Sequence, residues 1–222
     1  NWDVAAAEKG GYDHFMMKEI MEQPNAVKQT IESRIKGREI VFEGLKLTEE
    51  KLKTVNRIEI VACGSAYHAG MVGKYVLEEM LRIPTSIDYA SEYRYRNPIV
   101  DDKTLTIIIS QSGETADTLA ALKEAKKRGS HTLSIVNVVG SSIANASDDV
   151  IYTWAGPEIA VATTKGYTTQ LSVIYLIAVW AARILKTMDS DRVEKIFDDI
   201  CRLPELIEKV ILSEPKIKEM AK

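Results

Sequence analysis

Short apolar runs alternate with stretches of helical periodicity through the middle of the chain. Five runs predict buried strands, at 58–63, 86–89, 105–109, 132–137 and 150–153. Between them, apolar residues at a spacing of three to four predict helices at 71–81, 115–128 and 142–146. Continuous apolar strands that alternate with helices are typical of a parallel sheet covered on both faces. We therefore predict an α/β fold with a doubly wound, five-stranded parallel sheet.

Helical patterns flank this predicted sheet on both sides. Before it, apolar and polar residues alternate at helical spacing at Phe15, Met16, Glu19, Ile20 and over 26–35. After it, we predict helices at 171–186, 192–202 and 204–212. We divide the chain into a helical leading segment (1–40), an α/β domain (41–187) and C-terminal helices (188–222).

Composition narrows the class of protein. With 222 residues, 45% hydrophobic and 27% charged, the chain has the composition of an ordinary globular protein. A net charge of −3 gives no general attraction to nucleic acid, so we predict no such partner. The most apolar run, 171–185, is shorter than the roughly 20 residues that span a bilayer, so we predict a buried helix and no membrane partner.

Other features of the sequence indicate the cellular location of the protein and whether it binds a metal ion. The chain begins without a signal-peptide pattern, and its two cysteines are too few for a disulfide framework. We therefore predict a cytoplasmic location. The three histidines lack ligand spacing, so we predict no metal, and we predict no cofactor either.

The turn after the third predicted strand carries the most candidate chemistry. Residues 110–115 have the sequence S-Q-S-G-E-T, between an apolar strand and a helix. Gly113 lets a ligand approach the backbone, and the helix behind it presents unpaired N–H groups and a positive dipole end. The turn therefore predicts a phosphate site built from hydroxyls and amides instead of Lys or Arg. The alternative is that Ser112 or Thr115 only caps the helix.

Other candidate sites carry less weight. No G-x-G-x-x-G follows a strand, and Gly73-Lys74 lacks the rest of a P-loop. The polar stretch 160–166, which includes Lys165, is by itself typical of a loop that leads into a helix. Cys63 ends the first predicted strand, where a structural thiol is the simpler interpretation.

The motif S-Q-S-G-E-T-A-D-T at 110–118, with C-G-S at 63–65, resembles the sugar isomerase (SIS) domain family. Three further segments, 9–24, 90–96 and 162–170, are similar to the isomerase region of the glucosamine-6-phosphate synthases. The resemblance covers essentially the whole chain. It implies a flavodoxin-like SIS fold and the first of two SIS domains that follow a glutaminase domain. Together those domains convert fructose 6-phosphate and glutamine-derived ammonia into glucosamine 6-phosphate, for amino-sugar synthesis.

The resemblance also implies which residues bind the sugar phosphate. The phosphate would be held by Ser110, Gln111, Ser112 and Thr115, and the sugar by Ser65, the backbone around Val161 and the hydroxyl of Thr163. Many members have C-G-T-S after the first strand, whereas this chain has Ala66 at the last of these positions. We expect this difference to remove one hydroxyl from the site.

The family's catalytic Lys, Glu and His belong to the second SIS domain, the C-terminal tail and the other subunit. We therefore assign no catalytic residue to this chain, including Lys165, and expect it to bind sugar phosphate without turnover. The expected partners are fructose 6-phosphate or glucosamine 6-phosphate, the glutaminase and second SIS domains of the full-length chain, and a second copy in a homodimer. Two alternatives remain open: an SIS-type sugar-phosphate sensor and a stand-alone sugar-phosphate isomerase.

Overall fold

A computed structural model describes residues 9–221, so the first eight residues of the predicted leading segment, and Lys222, lie outside the described residues. In chain order the elements are α1 (Phe15–Met21), α2 (Gln23–Glu32), β1 (Ile35–Lys36), β2 (Glu39–Ile40), α3 (Glu49–Thr54), β3 (Arg57–Ala62), α4 (Gly64–Leu81), β4 (Thr85–Tyr89), α5 (Ala90–Tyr95), β5 (Thr104–Ser110), α6 (Ala116–Lys127), β6 (His131–Val136), α7 (Ser142–Ala146), β7 (Asp149–Tyr152), α8 (Lys165–Leu185), α9 (Ser190–Cys201), α10 (Leu203–Ile211) and α11 (Glu214–Met220).

The large sheet has the strand order β4-β3-β5-β6-β7, and every pairing in it is parallel. Its five strands match the five predicted ones to within one residue at each end. The predicted α/β fold with a five-stranded parallel sheet is therefore confirmed.

Side chains alternate between the two faces of this sheet, and each face carries its own apolar core. On β5, Ile107 and Ile109 belong to the larger core, which α4 and α8 cover. Ile108, between them, belongs to the smaller core, which α5, α6 and α7 cover. Because successive residues of a strand point to opposite faces, a continuous apolar run is what a doubly wound sheet requires.

The leading segment contains a feature that the sequence pattern did not predict. The helix predicted over 26–35 ends at Glu32, and Ile35–Lys36 pairs antiparallel with Glu39–Ile40. Gly37 turns this hairpin with a φ of +66°, a backbone conformation that glycine adopts without strain. The short helices α3 and α5 were also not predicted, since each has six residues and too few apolar positions to show a period. Helix α11 lies within the predicted C-terminal helical segment.

Helices α4 and α8 begin earlier than predicted. Helix α4 starts at Gly64 instead of Met71, and α8 starts at Lys165 instead of Leu171. Their first turns contain Gly, Ser, Ala and Thr, which give no apolar periodicity to detect.

Helix α4 packs directly against the sheet at Gly70. A Cβ atom at this position would lie 2.6 Å from Cδ1 of Ile87 and 2.9 Å from Cγ2 of Ile60. Such distances are well inside van der Waals contact, so only glycine fits without a shift of the neighbours. This close packing fixes the first half of α4 over β3 and β4.

Helix α8 is the central helix of the larger core. It is long and apolar enough to cross a membrane, but 61% of its most apolar window is buried inside the protein. It packs against α4, α2 and α9, in agreement with the prediction of a buried helix. Val27 and Ile31 of α2 and Phe197 of α9 join the same core, so the flanking helices are packed onto the α/β domain.

Asp148 ties three elements together beside the last strand. Its carboxylate accepts hydrogen bonds from the Thr132 backbone N–H (2.9 Å) and hydroxyl (2.7 Å), and pairs with Lys126 Nζ at 2.8 Å. Burial raises the pKa of Asp148, but these donors outweigh it and lower the pKa to about 2. The charged form is therefore more stable in the folded chain than in the unfolded one.

We predict that Asp148→Asn lowers the free energy of unfolding by ~2 kcal/mol at pH 7. A depressed carboxyl pKa stabilises the fold above the unfolded pKa, near 4, and this contribution disappears as the pH falls toward 2. The difference between the variant and the parent should therefore shrink from pH 5 to pH 2 in urea unfolding. Glu43→Gln, which breaks the exposed pair with Lys36, is the control and should leave stability unchanged. A difference that is independent of pH would contradict the prediction.

Candidate functional site

A cleft opens at the carboxyl ends of β3 and β5. The chain runs from β3 to its neighbour β4 on one side and continues later with β5 on the other, so these two ends form the point where the strand order reverses. Ligands of open parallel sheets bind at such points. The cleft has a volume of about 230 Å³ and is lined by Cys63, Ser65, Ala66, Ile109, Ser110, Gln111, Ser112, Thr115, Thr118, Val161, Thr163 and Gln170.

All seven residues predicted to contact the ligand line this one cleft. They come from three separate parts of the chain: Ser65 from the start of α4, the 110–115 turn, and Val161 and Thr163 from the loop before α8. The structure thus brings the predicted residues together. Their binding of a sugar phosphate stays a prediction.

The 110–115 turn is folded back on itself by its own hydroxyls. Ser110 Oγ accepts a hydrogen bond from the Gly113 N–H at 3.1 Å and lies 3.4 Å from Thr115 Oγ1. Ser112 Oγ accepts from the Glu114 N–H at 3.2 Å. Thr115 is the N-cap residue of α6, yet its side chain makes no capping hydrogen bond. The alternative in which Thr115 serves only as a helix cap therefore does not describe this turn.

The neighbouring loop before α7 fixes the position of the turn. Gly113 has a φ of +68°, and a Cβ there would lie 2.0 Å from Ser141 Oγ. The Gly113 carbonyl accepts from the Ile143 N–H at 2.9 Å, and Glu114 Oε1 accepts from the Ser142 N–H at 2.7 Å. Hydrogen bonds from Ser142 lower the pKa of Glu114 below its usual range. The turn is therefore held by α7 and its preceding loop.

Two long helices begin at the cleft without side-chain caps. Helix α4 follows Cys63 and α6 follows Thr115, and neither N-cap residue makes a side-chain cap bond. The first N–H groups of a helix have no intrahelical partner and form the positive end of its dipole. None of the described residues that line the cleft is charged. The cleft therefore offers an anion hydroxyls, amides and two helix ends.

A third helix, α8, begins near the cleft, but a carboxylate occupies its N-terminus. Glu158 accepts hydrogen bonds from the Thr164 N–H at 2.8 Å, the Gly166 N–H at 3.1 Å and the Thr163 hydroxyl at 2.8 Å. The α8 terminus is thus satisfied within the chain. The Thr163 oxygen can still accept a hydrogen bond from a ligand, because its proton is directed to Glu158.

Two carboxylates, Glu19 of α1 and Glu22 just after it, hold the loop that carries Val161 and the lysine that follows it. Glu19 is 2% exposed, and its Oε1 accepts from the Ile159 N–H at 2.6 Å and the Ala160 N–H at 3.0 Å. Lys165 is also 2% exposed and pairs with Glu22 at 2.6 Å. Lys165 does not line the cleft, so its geometry gives no support to a nucleophilic role.

The sequence pattern did not indicate the role of these two carboxylates or of two residues that line the cleft. Glu19 lies among the apolar residues of α1, and a carboxylate in such a position indicates a buried partner. Thr118 and Gln170 lie inside the quoted motifs but had no assigned role. Cys63 is half-buried at the cleft, and the Thr118 hydroxyl donates to its Sγ at 3.8 Å. In the described part of the chain, no three His, Cys, Asp or Glu side chains are grouped to hold a metal ion.

Comparisons with known proteins place the chain among proteins that contain an SIS domain. The sequence profile of the SIS domain matches residues 51–180. The chain is 54% identical over 221 residues to glutamine–fructose-6-phosphate aminotransferase (isomerizing) of Clostridium acetobutylicum, and 56% identical to the protein of that name from Caldanaerobacter subterraneus. Each match covers 99% of this chain and 36% of the relative. The chain thus spans about a third of the length of the curated relatives it matches.

Solved structures share the fold. The C-terminal domain of glucosamine-fructose-6-phosphate aminotransferase from Francisella tularensis superposes with a TM-score of 0.90 at 37% identity, covering 96% of this chain and 60% of that one. Glucosamine-6-phosphate deaminase from Thermotoga maritima has a TM-score of 0.65 at 24% identity, over 86% of this chain and 54% of that one. The second likeness concerns the fold alone.

We predict that Gly113→Ala destabilises the protein by about 2–4 kcal/mol, because a positive φ and a close contact with Ser141 add together. Gly37→Ala is the matched control: its φ is +66°, but no atom lies within 4 Å of the added Cβ. It should cost only about 1 kcal/mol, the backbone contribution. Equal losses for the two variants in urea unfolding would show that Ser141 does not confine the turn.

Proposed function

Because the chain belongs to the SIS-domain family, we propose that it binds a sugar phosphate in the cleft between β3 and β5, as part of a glutamine–fructose-6-phosphate aminotransferase. The observation that carries the proposal is the 110–115 turn, which stands at the reversal of strand order beside two uncapped helix ends. Fructose 6-phosphate, or the product glucosamine 6-phosphate, is the ligand we propose.

The chemistry of the cleft supports a phosphorylated sugar. A phosphate group accepts several hydrogen bonds, and the turn offers the hydroxyls of Ser110, Ser112 and Thr115, the amide of Gln111 and the first N–H groups of α6. On the other side of the cleft, Ser65 and Thr163 offer hydroxyl groups, which suit the neutral hydroxyls of a sugar. Ala66 faces the same cleft without a polar group.

The rest of the enzyme belongs to the proposal as well. A glutaminase domain would supply ammonia, a second SIS domain would supply the catalytic groups, and two copies would form a homodimer in the cytoplasm. Relatives that carry the aminotransferase name are nearly three times as long as the matched segment, which leaves room for such domains.

We predict that Ser112→Ala and Thr115→Val each weaken the binding of fructose 6-phosphate about tenfold or more, because each removes a hydrogen bond to a charged phosphate. The affinity is measured by titration calorimetry on the 222-residue chain. Both residues are exposed, so the melting temperature should not change. Ser190→Ala, at an exposed site on α9, is the control and should bind as the parent does. Unchanged affinity in both cleft variants would remove the basis of the phosphate site.

We also predict that the 222-residue chain forms no glucosamine 6-phosphate from fructose 6-phosphate and ammonia. The described residues that line the cleft include no carboxylate, imidazole or amine, so none of them can form a Schiff base, and Cys63 is the one titratable side chain among them. Product is measured by mass spectrometry after prolonged incubation. Turnover above the level without protein would place catalytic groups in this chain and favour a stand-alone isomerase.

A further inference from the structure

Gln170 carries a buried amide oxygen that the described residues leave without a hydrogen bond, beside the cleft. It lies in the second turn of α8, is 3% exposed and lines the cleft. Its Oε1 is buried and has no hydrogen-bond partner among the described residues. Its neighbours Thr169 and Ser172 both satisfy their hydroxyls on backbone carbonyls of the same helix.

A buried amide oxygen without a hydrogen-bond partner lowers the stability of the fold. Leaving a buried polar group unsatisfied costs about 1–3 kcal/mol, whereas an apolar side chain of the same shape would pack there without that loss. An unsatisfied buried group in a folded protein calls for an explanation, such as a functional role or a bound water. No described residue completes the hydrogen bonding of this oxygen, so its partner comes from the cleft, as a ligand or as a water molecule that a ligand would displace.

We propose that Gln170 is a specificity-determining residue that binds a hydroxyl group of the sugar, an inference that rests on the proposed binding of a sugar phosphate. A sugar hydroxyl both donates and accepts, and so does a glutamine amide. A phosphate only accepts, and the 110–115 turn already offers it several donors. Gln170 also stands on α8, whose N-terminus Glu158 occupies, and not on the helix that follows the turn.

The amide can adapt to its ligand by rotation. The terminal torsion of a glutamine is broad and roughly two-fold, so either the oxygen or the nitrogen can face the cleft. A site built to hydrogen-bond a hydroxyl rejects analogues that lack it, because the buried amide is then left unpaired. Gln170 therefore distinguishes sugar phosphates from phosphate itself.

The test replaces Gln170 with Met, which is also unbranched but cannot hydrogen-bond through an amide. The affinities for fructose 6-phosphate and for inorganic phosphate are measured by titration on the 222-residue chain, together with the melting temperature. We expect Gln170→Met to bind fructose 6-phosphate about 3- to 10-fold more weakly. Its affinity for inorganic phosphate should stay within about twofold of the parent, and its melting temperature should equal or exceed that of the parent, because an unsatisfied amide is gone.

Two further variants serve as controls for the Gln170→Met measurements. Gln29→Met, at an exposed site on α2, should change none of the three measurements, and Gln170→Asn, which shortens the amide's reach, should also weaken fructose 6-phosphate binding. Unchanged affinity for fructose 6-phosphate in Gln170→Met, an equal loss for both ligands, or a lower melting temperature would overturn the role of Gln170. Failure of the parent chain to bind either ligand would instead overturn the proposed function.

Discussion

The site depends on one topological constraint, the reversal of strand order between β3 and β5. All five strands of the sheet are parallel, so their carboxyl ends share one edge. The helices that leave β3 and β5 cover opposite faces of the sheet, and their N-termini separate there. The gap between them is the cleft. Because the N–H groups at both helix starts have no partner within their helices, the fold itself creates a place for an acceptor-rich ligand.

Carboxylates of the chain accept hydrogen bonds at some helix N-termini and leave others unpaired. Glu158 occupies the start of α8, and Glu114 accepts from the first residue of α7. The starts of α4 and α6, by contrast, carry no side-chain cap. An acidic chain with a net charge of −3 therefore still presents unpaired donors at the cleft, since its carboxylates nearby accept hydrogen bonds from within the chain. The total charge gives little information about the ligand, because the local arrangement of donors determines it.

Much of the sheet, and the place of the 110–115 turn at the cleft, could be predicted because each is encoded locally. The apolar runs define β3 to β7, and the hydroxyl-rich sequence 110–115 is itself the turn. The features that were missed depend on distant partners. Glu19 is meaningful only where it meets the 159–160 backbone, more than 130 residues away. Gln170 becomes distinctive only when its amide is seen to lack a partner, and the β1–β2 hairpin is too short to show a pattern.

Through these long-range contacts, the leading segment positions one side of the cleft. Glu19 of α1 and Glu22 just after it hold the loop and the lysine on either side of Val161 and Thr163. Thr30 of α2, and Arg34 just after it, donate to the carbonyls of Thr153 and Tyr152 at the end of β7. A buried carboxylate or guanidinium that loses its partner is costly, so α1, α2 and the loop 153–165 keep their relative positions together. Displacement of α1 would therefore move one wall of the cleft, while the 110–115 turn, held by α7, would stay in place.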